Sequence, residues 1–199
     1  MNPASHSSTE SLKSGSASAH ERLRSSTEAM HRLIESQFDL DSLLQPTAYQ
    51  AFLLSNWPLV SIELGLERAG IRQILTDWEV RSRRDCLVTD LRHYRISPPD
   101  IVRLDIPSDH ATLLGWSYVL EGSRLGAEVI LRKLNPSPGY VQQGMAFLRH
   151  GSRAHLWPSF KSALSAIDDD ASAISRACVA ANLAFRCFLR SVNVTSSAN

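Results

Sequence analysis

The chain has 199 residues, 43% of them hydrophobic, which suits one domain with a substantial core. A formal net charge of +1 offers no electrostatic case for nucleic acid or an anionic membrane surface as partner. Three cysteines, Cys86, Cys178 and Cys187, form no CxxC pair and leave an odd thiol, which fits free buried thiols in a reducing compartment better than a disulfide framework.

Residues 1–18 are mostly Ser, Ala, Thr and Gly. They have little apolar area to offset ordering entropy and predict a disordered tail. They also lack the apolar core of a secretory signal, so the expected location is cytoplasmic, with the folded domain over 19–193 and a frayed end over 194–199. From His20 the pattern is helical. Leu23, Met30, Ile34 and Phe38 form an apolar stripe, and Thr27, His31 and Glu35 stack at i, i+4 and i+8. A histidine so placed is more often structural than ligating. Glu35 could nevertheless accept the proton on His31 Nδ1 and leave Nε2 free for a metal.

Asp39–Thr47 reads as a connector closed by Pro46, with Thr47 capping the next helix. That helix carries a kink at Pro58 and ends at Gly70. The stretch Ile71–Tyr94 holds a further helix, its second half from about Ser82 clearly amphipathic, and a cluster, Arg81, Arg83 and Arg84, that reads as a solvated face or a docking patch. The proline-rich stretch 97–110 is a loop, and Ser108 or Asp109 is the expected cap of the central helix.

That central helix, Ala111–Leu134, runs 24 residues without proline at helical spacing, yet contains Gly115, Gly122 and Gly126. Each glycine inside a helix costs about 1 kcal/mol relative to alanine. The spacing places all three on one face, so something must lie flat against it: a second helix or a flat cofactor. Asn135–Gly139 breaks the chain, a short helix ends at Gly151, and His150 and His155 read as surface residues. A final amphipathic helix runs to about Val192.

The order LGWSYVLEGSRLGAEVI resembles the distal helix of bacterial heme oxygenases, above all the group associated with bacteriophytochromes. It matches at Leu114, Gly115, Tyr118 to Ser123, Leu125 and Gly126, and departs at Ala127, where a glycine is expected. Leu23, Arg24, Thr27, His31 and Glu35 resemble the proximal motif of the same family. Tyr49, Phe52 and Leu53, and then Trp157, Phe160 and Leu164, resemble two further segments. The resemblance implies an all-α, single-domain fold with heme between the first and the central helix. It also implies an enzyme that uses O2 and electrons to cleave heme to biliverdin, CO and ferrous iron. His31 would be the iron ligand, oriented by Glu35, with Gly122, Ser123 and Gly126 on the distal face. Arg24, Thr27, Tyr118 and Lys161 would contact the heme, the two cations serving its propionates. Implied partners are a ferredoxin or NADPH-dependent reductase as electron donor and a bacteriophytochrome as bilin acceptor. Many members carry aspartate where Ser123 stands; serine is common in the bacteriophytochrome-linked group. Ala127 adds a methyl near the expected heme surface. A non-catalytic heme binder or sensor of the same fold, or a helical interaction domain without heme, are the other readings.

Overall fold

The structure, a computed structural model, describes residues 17–37, 39–134, 143–151, 153 and 155–196; among them every regular element is helical. Helix α1, Ala19–Glu35, opens on a reciprocal cap. The Glu21 N–H donates to Ser18 Oγ at 3.3 Å, and the Ser18 N–H donates to the Glu21 carboxylate at 2.8 Å. Ser18 is therefore the entrance to the helix; residues 1–16 of the expected tail lie outside the described residues, as does Phe38 of the expected stripe. The Ala19 N–H donates to Asp168 Oδ1 at 2.7 Å, tying this entrance to the turn before the last helix.

Helices α2, Pro46–Ser55, and α3, Pro58–Arg68, each begin on a proline. A missing N–H costs nothing in a first helical turn, so Pro46 starts a helix where a connector with a Thr47 cap was expected. For the same reason Pro58 separates two helices, where the sequence suggested one kinked helix. Gly70 follows α3 in the left-handed conformation, φ +93°, as a helix-ending glycine does.

Within 71–94 the structure has α4, Trp78–Arg81, and α5, Arg84–His93, the second over the amphipathic half expected from about Ser82. Glu63 of α3 makes the division. Its carboxylate accepts from Ser82 Oγ at 2.5 Å, the Arg83 N–H at 2.8 Å and the Arg84 N–H at 3.1 Å, capping α5 from outside its own sequence. Asp90 of α5 repeats the device for α7, Ala146–Gly151, accepting from the N–H groups of Ala146 and Phe147 at 2.9 and 2.8 Å. Between them runs α6, His110–Leu134, where Asp109 Oδ1 accepts from the Thr112 N–H at 3.1 Å as expected of a cap. The Asn135–Gly139 break lies outside the described residues. Helix α8 spans Leu156–Leu164, and α9 runs Ala171–Ser196, past the boundary read from the sequence.

Helix α9 organises the rest. Both α1 and α6 lie along it, against a strip of buried small residues: Ala173, Ala177, Ala180, Ala181 and Ala184. Its Ala171–Arg190 stretch is long and apolar enough to cross a membrane, but this strip is buried inside the protein, as in a core helix. Helices α1 and α6 meet each other chiefly through side chains, with His31 of α1 edge-on to Tyr118 of α6 and to Phe185 of α9, so their backbones stay apart above α9.

Candidate functional site

Thr27 is fully buried at the inner face of α1, its hydroxyl donating to the Leu23 carbonyl at 2.8 Å. Tyr118 of α6 reaches across to it, and the phenol lies against the Thr27 hydroxyl. Burial raises the Tyr118 pKa, so the ring stays neutral. Around Tyr118 gather His31 at 6.5 Å between ring centroids, His20 at 6.4 Å and Trp157 at 6.0 Å. This aromatic group closes one end of the gap.

One turn beyond Thr27 on α1 stands His31, edge-on to Phe185 of α9 at 4.5 Å. Burial lowers its pKa below the usual imidazole range, and the Glu35 carboxylate pulls the other way. His31 is thus held neutral at pH 7, with a ring nitrogen free to ligate. Glu35 is exposed and makes no hydrogen bond to His31; its influence is through space. The hydrogen bond that the sequence allowed is absent from this structure.

One turn beyond Tyr118 on α6 stands Gly122, and another turn on, Gly126. A Cβ added at either would meet nothing within 4 Å. At Gly115 an added Cβ would stand 2.2 Å from the Ala177 carbonyl oxygen and 2.7 Å from the Ala180 methyl of α9. The expectation that all three glycines serve one face is therefore corrected. Gly115 is a helix-packing glycine, and Gly122 and Gly126 border open space. Ala127, the departure from the motif, is buried with its methyl toward Gly151 of α7: a Cβ on Gly151 would come within 2.8 Å of it. Its methyl packs into protein and leaves the open face unobstructed.

Ser123 is exposed at the edge of that face, and Oγ donates to the Leu120 carbonyl at 2.7 Å. Arg24 and Lys161 are both exposed and lie near His20, whose pKa is lowered by burial first and then by their two charges. Arg24 and Lys161 bring positive charge beside neutral His20, which packs edge-on against Trp157.

Sequence reasoning missed the charged cluster behind α6. Arg81 and Arg83 are each 1% exposed, so a solvated or docking patch is ruled out for them. Arg81 bonds Glu121 at 2.7 Å and Asp77 at 2.6 Å, Arg124 bonds Glu121 at 2.8 Å, and Arg83 donates to Ser123 Oγ at 2.6 Å. Buried charges persist only when paired in this way. The signal was in the sequence: Glu63, Glu121 and Arg124 sit at otherwise apolar helical positions. His150 also departs from a surface reading, since its Nδ1 is buried without a partner. The three cysteines are free and half-buried. A separate cavity of about 710 Å³, lined by Gly70, Gln73, Ile74, Ser108, His110 and Leu113, contains none of the candidate residues.

A helical domain holding a neutral histidine and a glycine-bordered helix face around one gap has the heme oxygenase fold. The chain superposes on the heme oxygenase of Neisseria meningitidis, solved in NO- and CO-bound forms, with a TM-score of 0.73 at 20% identity, covering 90% of this chain and 92% of that one. Residues 96–193, which hold α6 to most of α9, match the family model described as Heme oxygenase. The structural likeness defines the fold, and the family match, which covers just under half of the chain, points to the same type. No curated protein matches the sequence. The family match leaves out α1, so the His31 side of the gap stands on its own geometry.

Proposed function

We propose that heme lies in the gap between α1 and α6, with His31 Nε2 as its iron ligand and Gly122 and Gly126 against its other face. One observation carries this: the two glycines border space that no side chain fills, while a half-buried histidine kept neutral stands one turn beyond the Thr27–Tyr118 contact. Each empty glycine costs helix stability of about 1 kcal/mol, an expense that a ligand seated on bare backbone explains. The residues fit the group. Neutral imidazole is the ligating form, Phe185 and Tyr118 supply an apolar wall, and Arg24 and Lys161 supply cations for two propionates at the mouth.

Bound heme serves as both substrate and the group that activates O2; the protein binds, orients and shields it. In this reading Glu35 biases the His31 ring through space, the Gly122 and Gly126 backbone limits the room above the heme, and Ser123 supplies a hydroxyl at that edge. The electron donor is a ferredoxin or NADPH-dependent reductase. The setting is cytoplasmic, and biliverdin passes to a bacteriophytochrome or the freed iron is used. Serine at position 123 supports the bacteriophytochrome-associated type.

Reconstitution with hemin, followed by reductant and O2, tests the reading. The Soret band should give way to biliverdin absorption. Heme that binds and stays intact with a competent donor would favour a binder or sensor.

A further inference from the structure

We propose that Phe185 of α9 is the positioning residue for the His31 imidazole, an aromatic ring taking the part expected of a hydrogen-bonded Glu35. The inference rests on the proposed role of His31 as iron ligand. A ligating histidine needs its ring held in one orientation, and a hydrogen bond to the second ring nitrogen is the common means. Glu35 is exposed and makes no such bond, and among the described residues no other group hydrogen-bonds the His31 ring.

Two aromatic rings approach it instead. Phe185 lies 4.5 Å away between centroids at an interplanar angle of 70°, and Tyr118 lies 6.5 Å away at 82°. The first separation is at the near end of the range that aromatic pairs occupy, so the edge of one ring already touches the face of the other. Phe185 is 3% exposed, with Ala181 and Ala184 buried beside it on the same helix. A ring enclosed in a close-packed core cannot retreat. The imidazole therefore cannot turn about its Cβ–Cγ bond without collision.

The pairing of His31 with Phe185 follows from how α1 is laid along α9. The Ala19 N–H is held by Asp168 Oδ1 at 2.7 Å, just before α9 begins. Further along, Asn182 Nδ2 donates to the Ser26 carbonyl at 3.3 Å and to Ser26 Oγ at 3.4 Å. The same amide donates to the Cys178 carbonyl at 2.9 Å, one turn back on α9, which fixes its direction. Positions 178, 182 and 185 recur at i, i+4 and i+7 and form one stripe facing α1. Ala177 and Ala180 lie on another side of α9, against Gly115 of α6. Helix α9 thus fixes where α1 lies through a polar clamp and, less than one turn further on, how its histidine points. A carboxylate bonded to the second nitrogen would orient an imidazole and also make it more basic, whereas a phenyl ring orients it and leaves its basicity alone.

The test uses the full chain reconstituted with ferric hemin and saturated with cyanide, read by proton NMR of the heme methyl groups. Cyanide is cylindrical, so the spread of those resonances reports the plane of the imidazole on the opposite side. Phe185→Leu should shift the methyl resonances and narrow their spread, as the freed imidazole averages over more than one orientation. Phe185→Tyr, which keeps the ring, should give a pattern close to wild type. Phe52→Leu, which removes a buried ring stacked on Tyr49, controls for general loosening and should leave the pattern unchanged. Glu35→Gln should leave it unchanged as well. If melting curves show that Phe185→Leu does not fold, Phe185→Met, whose flexible side chain fills the space without a ring, takes its place. A ring-less Phe185 variant with the wild-type pattern would overturn the proposal while leaving the heme site standing. An equal change in Phe52→Leu or in Glu35→Gln would do the same. A wild type that binds no hemin, or a His31→Ala protein with the wild-type pattern, would overturn the heme site and this proposal together.

Discussion

At Gly115 an added Cβ would stand 2.2 Å from the Ala177 carbonyl oxygen of α9, whereas at Gly122 and Gly126 it would meet nothing within 4 Å. The same residue type on the same helix therefore answers two different demands. In the first half of α6 glycine lets two backbones approach, and the space it leaves is filled by protein. In the second half the space beside the glycines stays open. A helix-packing glycine contributes to the fold of the free protein. An open one lowers its stability and is explained only by what the cleft receives.

Substitutions can break or sharpen this contrast. The largest effect is expected at Gly115, where alanine should destabilise the free protein by about 2–3 kcal/mol or more through overpacking against Ala177 and Ala180. Thermal melting without heme measures it, and an unchanged melting temperature would remove Gly115 from the packing class. At Gly126 the sign should reverse: alanine should stabilise the free protein by up to about 1 kcal/mol, as helix propensity favours it and no atom opposes it. Gly122→Leu should likewise fold, but should fail to bind hemin or to produce biliverdin. A folded Gly122→Leu protein of wild-type hemin affinity and turnover would separate the open face from function.

Across the gap, His31→Ala should keep the fold and lose the histidine-ligated ferric spectrum, with added imidazole restoring it. A spectrum that persists unchanged would move the ligand to another histidine. Protonation gives a smaller test. The folded His31 pKa lies below that of a free imidazole, so its neutral, ligating form persists as pH falls to about 6.5 and below. The stability that His31 contributes by staying neutral is present above the unfolded pKa and is lost as pH falls toward the lower folded value. Hemin affinity should be flat across neutral pH and decline only on the acid side. Glu35→Gln, which removes the charge that raises the His31 pKa, should move that decline to slightly lower pH. A move in the opposite direction would contradict the through-space role.

Smallest of all, Ser18→Ala should cost about 1 kcal/mol by removing a capping box, while deletion of residues 1–16 should leave melting unchanged. Calorimetry of the two variants side by side distinguishes a cap from a tail.

Much of this architecture was legible because helices announce themselves locally. Apolar spacing gave α6 almost to the residue, and the LGWSYVLEGS order together with Thr27, His31 and Glu35 carried the resemblance to two helix motifs of one family before any geometry. What stayed hidden depends on long-range partners. The break between α4 and α5 is made by Glu63, some 20 residues earlier in the chain, as the hydrogen bond to Arg83 shows. The three arginines at 81, 83 and 84 looked like a surface because nothing near them in sequence neutralises Arg83; its partners arrive on α3 and α6. The three glycines could be placed on one helical face, but the face turns along a 25-residue helix and meets α9 at one end only. Ala127 likewise looked like an obstacle, because its packing partner, Gly151, arrives on a different helix.

Hydrogen exchange along α6, with and without hemin, tests the central contrast most directly. The turn around Gly115 should be protected in the free protein and change little on hemin binding, because α9 already covers it. The turns from 119 to 126 should exchange faster in the free protein and gain protection once hemin is bound. Equal protection of both halves without hemin, or a gain confined to the Gly115 turn, would contradict the division of the helix into a packed end and an open one.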